Sequence, residues 1–118
     1  EDLVRRAGAR VQVATEDGSA GLRGLASEIA AQVISPKTVR VHACGPLGML
    51  SAVARLCAER EVGCEVSVEQ RMACGVGACM GCPVPVVSGG YKMVCSEGPV
   101  FEAAEIDWVR LEAEQGEP

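Results

Sequence analysis

Residues 71–95 read RMACGVGACMGCPVPVVSGGYKMVC, and this stretch decides how the rest of the chain is read. It holds four of the seven cysteines, Cys74, Cys79, Cys82 and Cys95, in the spacing C-x4-C-x2-C-x12-C. A C-x4-C-x2-C run with a distant fourth cysteine is the plant-type ferredoxin spacing for a [2Fe–2S] cluster. Gly75, Gly77 and Gly81 lie between the ligands, where a short loop must turn its thiolates inward and its N–H groups toward sulfur. No charged side chain occurs from Met72 to Tyr91, so an apolar wrapping that keeps water from the sulfurs is expected. Two other readings compete. Structural zinc also takes four thiolates, but zinc ribbons show two matched C-x2-C knuckles and only one occurs here. Disulfides fit poorly with an odd cysteine count and no secretory context.

Upstream, the pattern alternates. Residues 1–9 resemble the tail of a helix ended by Gly8, and RVQVAT (10–15) alternates as a strand does. EDGSAG (16–21) is a turn by composition. Leu22, Leu25, Ala26, Ile29 and Val33 have helical spacing, and Ser35-Pro36 breaks the run. TVRVHAC (38–44) reads as a second strand, Gly45-Pro46 as a helix entry, and Leu47, Leu50, Val53, Ala54 and Cys57 as one helix face. CEVSV (64–68) is a third strand. Strand–helix–strand alternation over 10–68 implies parallel neighbours in an α/β layer. Pro83 and Pro85 restrict any strand there to an edge. Phe101, Ala104, Trp108 and Leu111 suggest a helix over 101–114, with a disordered tail over 115–118. The division expected is therefore 1–68, an α/β part; 69–100, the cysteine module; and 101–118, a helix and tail.

At 118 residues, 48% apolar and 3% aromatic, the core must come from Val, Leu, Ile, Ala and Met. A net charge of −5 argues against nucleic acid or an anionic membrane as partner. Neither a membrane-length apolar run nor a signal peptide is visible, so a cytoplasmic, redox-active or metal-binding chain is expected. The first helix lacks an obvious start, which suggests the C-terminal part of something longer.

Two strand-to-helix corners could hold a ligand. Open α/β sheets bind at the carboxyl ends of their strands, so Glu16, Asp17, Gly18 and Ser19 are candidate nucleotide contacts, beside the plainer reading as a turn. Cys44, Gly45 and Pro46 form the second corner, where backbone can approach a flat ring; the plainer reading makes Cys44 a small buried residue. Cys57 and Cys64 fall outside the ligand spacing and read as core thiols, and the four methionines as packing residues. His42 is the sole histidine and reads as a strand-face residue.

Taken together, ATEDGSAGLRG (14–24), ACGPLGML (43–50), VSVEQRMACGVGACMGCPV (66–84) and YKMVCSEGPVF (91–101) resemble the electron-transfer subunits of NAD-dependent dihydroorotate dehydrogenase, within the ferredoxin-reductase-like superfamily. The resemblance implies an α/β fold: a partial parallel-sheet nucleotide-binding domain followed by a small [2Fe–2S] module. It implies Cys74, Cys79, Cys82 and Cys95 as cluster ligands, Cys44, Gly45 and Pro46 by the nicotinamide and flavin rings, and Glu16 and Asp17 near the adenosine ribose, favouring NAD over its phosphorylated form. Family members carry an N-terminal FAD-binding barrel, an arginine-containing flavin motif and a glycine-rich pyrophosphate turn, none of which is in this sequence. The implied role is a relay of electrons from NADH through FAD and the cluster to the FMN-containing catalytic subunit of a hetero-oligomer in pyrimidine biosynthesis. No residue here is expected to act as acid or base on that substrate. Arg71 and Lys92 flank the loop and would favour the more negative reduced cluster. The alternatives are an electron-transfer subunit of a cytosolic hydrogenase or related flavoprotein reductase, and a zinc-stabilised module without redox function.

Overall fold

The computed structural model describes residues 2–115, which divide into two units, 2–33 and 34–115. In the first unit, helix α1 (Asp2–Arg6) is followed by two short parallel strands, β1 (Ala14–Thr15) and β2 (Leu22–Arg23), and by helix α2 (Ala26–Val33). The expected strand over 10–15 contracts to its last two residues, and the expected helix starts four residues late. The backbone explains both differences. Leu22 N–H donates to Val13 O and Gly24 N–H to Thr15 O, which commits 22–24 to a ladder. Gly21 makes that pairing possible: its φ is +68°, and a Cβ there would lie 2.1 Å from Val13 O. The helix then begins at Ala26, where the Glu28 carboxylate reaches back to accept from Leu25 N–H at 2.8 Å.

The second unit is built on a β–α–β crossover. Strand β3 (Arg40–Cys44), helix α3 (Leu47–Glu59) and strand β4 (Gly63–Ser67) place β3 and β4 parallel, in register from Arg40↔Gly63 to Cys44↔Ser67. Thr38 stays outside the strand because its N–H and hydroxyl close a turn on Ser35. Proline at the N-cap of α3 costs no hydrogen bond, since helix-entry N–H groups have no intrahelical acceptor. Most of the face read from the sequence packs: Leu50, Val53, Ala54 and Cys57 are buried, and Leu47 at the helix start is half-buried. Cys64 and Val66 of β4 are buried beside them. Each fully buried aliphatic side chain of this kind contributes roughly 1.5–3 kcal/mol.

Between β4 and the next sheet strand the chain makes an excursion. It contains strands β5 (Pro83–Pro85) and β6 (Tyr91–Met93), paired antiparallel, and the single-turn helix α4 (Val94–Glu97). It re-enters as β7 (Val100–Glu102), which lies antiparallel to β4 with Ser67↔Val100 in register. Val68 N–H donates to Pro99 O at 2.9 Å, so the two ends of the excursion are hydrogen-bonded neighbours. A 3-10 turn (Ala103–Glu105) and helix α5 (Trp108–Gln115) follow.

The α/β class holds, with a partial parallel sheet followed by the cysteine module. Two details differ from expectation. The main sheet has the order β3-β4-β7, and its third strand comes from beyond the cysteines rather than from 10–15, which pairs in the first unit. The helix expected over 101–114 is a strand, a 3-10 turn and a shorter helix. The spacing of Phe101, Ala104, Trp108 and Leu111 mimics a helix face, but burial of Phe101 and Ala103 follows strand alternation. Asp107 starts the true helix, its carboxylate accepting from Arg110 N–H at 3.1 Å. Gln115 belongs to that helix, while the rest of the expected tail, 116–118, lies outside the described residues.

Candidate metal centre

Two different devices bring the four cysteines together. The first is strand register. Pro83↔Met93 pairing in the β5–β6 hairpin sets Cys82, one residue before β5, beside Val94 and Cys95, just after β6. Val94 N–H donates to Cys82 O at 3.0 Å and Cys95 N–H to Cys82 Sγ at 3.4 Å. A tight turn closes the hairpin (Val86 N–H to Gly90 O, 3.2 Å), and Glu97 steadies α4 by accepting from Met93 N–H at 2.6 Å. The second device is the irregular loop 72–81. Its N–H groups point at sulfur: Val76 and Cys79 donate to Cys74 Sγ, both at 3.4 Å, Gly81 to Cys79 Sγ at 3.3 Å, and Gly77 to Cys95 Sγ at 3.1 Å. Gly77 has φ +77°, and a Cβ there would come within 2.9 Å of Ser96 Oγ, so glycine is required for this approach.

Electrostatically the thiols form two pairs. Backbone donation from Val76, then from Cys79, pulls the Cys74 thiol down to about 6. Cys79 also hydrogen-bonds Cys74 through its side chain. Cys95 is pushed up, chiefly by its hydrogen bond to the Cys82 thiol and then by burial. Among the described residues no three His, Cys, Asp or Glu side chains converge on one ion. Two thiol pairs, each with backbone donors, match the donor set of a binuclear iron–sulfur centre, in which each iron takes two protein sulfurs. They match a four-thiolate zinc site less well, because that site needs all four sulfurs on one point.

The loop is uncharged, as its sequence says, but it does not wrap the sulfurs. Met72, Val76 and Met80 are 51%, 76% and 68% exposed, and Cys79 is exposed while Cys82 is buried. Three apolar side chains therefore rim the open side of the centre. Met80 is held at φ +55°, a left-handed conformation that costs a non-glycine residue about 1–2 kcal/mol. Of the methionines, Met93 packs in the core, whereas Met72 and Met80 do not. Lys92 is ion-paired with Glu105 at 3.1 Å, which spends its charge away from the sulfurs; Arg71 is exposed.

The other candidates lie elsewhere. In the first unit, Glu16, Asp17, Gly18 and Ser19 form the turn after β1. Ser19 N–H donates to Asp17 Oδ1 at 2.9 Å, and this bond holds the Asp17 carboxyl below its usual range. The Thr15 hydroxyl closes the same turn on Ala20, at 3.0 Å to its O and 3.1 Å from its N. In the second unit, Cys44, Gly45 and Pro46 join β3 to α3. Cys44 is exposed rather than buried, because its side chain falls on the solvated face of the sheet. His42 shares that face, with Nδ1 2.9 Å from Glu65 Oε2. Sequence reading missed Gln70, whose Nε2–H donates to Pro83 O at 3.1 Å and ties the loop entry to the hairpin, and it missed Ser96, which sets the space at Gly77. Neither has a spacing signal. Among the described residues no helix is long and apolar enough to cross a membrane.

Comparison with known proteins converges on the same segment. Residues 69–107 match the family described as the iron–sulfur cluster binding domain of dihydroorotate dehydrogenase B. The chain is 41% identical over 99 residues to the electron transfer subunit of dihydroorotate dehydrogenase B (NAD(+)) from Caldanaerobacter subterraneus subsp. tengcongensis, covering 81% of this chain and 40% of that one. It is 44% identical over 99 residues to the same subunit from Geobacillus kaustophilus, covering 80% and 36%. The chain thus spans about two fifths of the length of the curated relatives it matches. Among solved structures it resembles an NADH-dependent reduced ferredoxin–NADP oxidoreductase studied for flavin-based electron bifurcation, with a TM-score of 0.79 and 29% identity over 96% of this chain and 41% of that one.

Proposed function

We propose, for a chain that belongs to the dihydroorotate dehydrogenase B electron-transfer family and matches its C-terminal part, a role as the cluster-bearing end of an electron relay. The observation that carries this reading is the arrangement of four thiols in two pairs, each met by backbone N–H donors, inside the segment that matches the family. Cys74 and Cys79 would hold one iron and Cys82 and Cys95 the other, within a module spanning 69–100. A [2Fe–2S] cluster, when bound, supplies a site that accepts and releases one electron at a time. The chain's own contribution is placement and tuning. N–H groups of Val76, Gly77, Cys79 and Gly81 stabilise negative charge on sulfur, and the exposed side at Cys79 leaves a short path outward.

The activity proposed for the whole protein is transfer of electrons from NADH, through FAD and the cluster, to an FMN-containing dihydroorotate dehydrogenase catalytic subunit in the cytoplasm. Within this chain, Cys44, Gly45 and Pro46 are the proposed contacts to nicotinamide and flavin, and Glu16, Asp17, Gly18 and Ser19 to the adenosine ribose, where the Asp17 carboxylate stays charged. A second reading has one observation in its favour, the structural likeness to a ferredoxin–NADP oxidoreductase: the same module would deliver electrons to ferredoxin.

Anaerobic reconstitution tests the first reading. Iron and acid-labile sulfide should be equal, two of each per chain, with a reduced-state EPR signal, and Cys79→Ser should lose all three. Zinc without sulfide would support the scaffold alternative and sink the relay. Reduction of the FMN subunit by NADH through the full-length protein, against reduction of ferredoxin, separates the two electron carriers.

A further inference from the structure

Cys57 and Cys64 take no part in the centre described above. Cys57 sits on the buried face of α3 and Cys64 near the start of β4; they are 1% and 6% exposed, and Cys57 is a near enough neighbour to raise the Cys64 thiol. Both residues line a cavity of about 570 Å³ bounded by α3, β4, the 3-10 turn and α5. The rest of its wall is mainly apolar, with Ala54, Ala58, Val62, Ile106 and Trp108, and Arg55 and Glu112 also line it. A paired dithiol at the wall of an apolar space is a chelating site for a thiophilic trivalent centre that carries a hydrophobic substituent.

We propose that Cys57 and Cys64 form a binding site for trivalent organoarsenicals, with arsenic bridging the two sulfurs and an aryl group seated in the apolar cavity. The step balances without redox change. Two S–H bonds and one As=O bond give two As–S bonds, and the oxygen leaves as water with both thiol protons. Arsenic stays trivalent. Burial, followed by the Cys57 neighbour, pushes the Cys64 thiol up to about 12, so Cys64 is held protonated. Reagents that need a thiolate are thereby disfavoured, whereas the arsenical consumes thiols. A monothiol such as exposed Cys44 offers no chelate.

The probe is phenylarsine oxide, added to the chain with its cluster reconstituted. One arsenic per chain is expected by native mass spectrometry. Each of the pair falls in a different tryptic peptide, 56–60 and 61–71, while Cys44 lies in 41–55 and the centre's cysteines in 72–92 and 93–110. Bridging by arsenic therefore yields peptides 56–60 and 61–71 joined through one phenylarsenic, a readout that needs no variant. Cys57→Ser and Cys64→Ser should each abolish the adduct, and Cys44→Ser should keep it. No adduct, arsenic confined to other peptides, or a Cys57–Cys64 disulfide in the isolated protein would overturn the proposal.

Discussion

Two sets of cysteines in one unit show opposite ways of handling a thiol. In the loop, Cys74 is reached by N–H donors and partly open to water, and its proton is loosened; in the core, Cys64 is walled by apolar side chains, and its proton is tightened. The same amino acid is thus readied to lose its proton by backbone geometry in one place and made to keep it by burial in the other. The difference teaches that the loop is shaped for a charge that a metal centre would neutralise, while the sheet beneath it stands on its own hydrophobic contacts.

The widest contrast to probe is reactivity. In protein stripped of iron at pH 8, thiolate fractions set by values of about 6 and about 12 differ on the order of 10⁴-fold, so iodoacetamide should label Cys74 and leave Cys64 untouched. Equal labelling would erase the comparison. The sign of the pH dependence follows. Because Cys74 lies below its ordinary value of 9.0, its contribution to the folded loop is complete above that pH and is lost as pH falls through about 6. Cluster assembly, measured as iron retained, should fall over that window.

Next in size is the core. Leu50→Ala should cost about 2–5 kcal/mol in chemical denaturation, by a similar amount with or without iron. Gly77→Ala should do the reverse. A left-handed alanine costs about 1–2 kcal/mol locally and crowds Ser96, so iron per chain should drop while unfolding of the iron-free sheet stays unchanged. Iron removal followed by hydrogen exchange sharpens the same point: the amides of Val76, Gly77, Cys79 and Gly81 should lose protection, and those of Cys64 and Val66 should keep theirs. The smallest effect expected is at Arg71. Arg71→Gln should lower the reduction potential slightly in a redox titration, since an exposed charge is well screened.

The candidate thiols were legible because they are written in local spacing, and the β–α–β crossover because Leu50, Val53, Ala54 and Cys57 repeat with the helical period. Strand β7 was not legible. Its three residues are held by pairing with β4 across the whole cysteine segment, a non-local cause with no trace in the local pattern, and Phe101 and Trp108 happened to match a helix. The N–H donors were foreseeable from the glycines only as a class; which amide meets which sulfur depends on loop conformation. The solvent-facing Met72, Val76 and Met80 were misjudged because an absence of charge says nothing about which side a loop turns to water.

The hydrogen bond between Val68 and Pro99 has a consequence of its own. A peptide segment that leaves and returns at adjoining points closes on itself, but this one is fastened to its host a second time, where Val87 N–H donates to Glu105 O and Asp107 N–H to Pro85 O. Genetically, such a piece is anchored rather than portable: cut at 68 and 99 and closed by a two-residue turn, β4 and β7 should keep their pairing, while residues 105–107 lose their backbone partners.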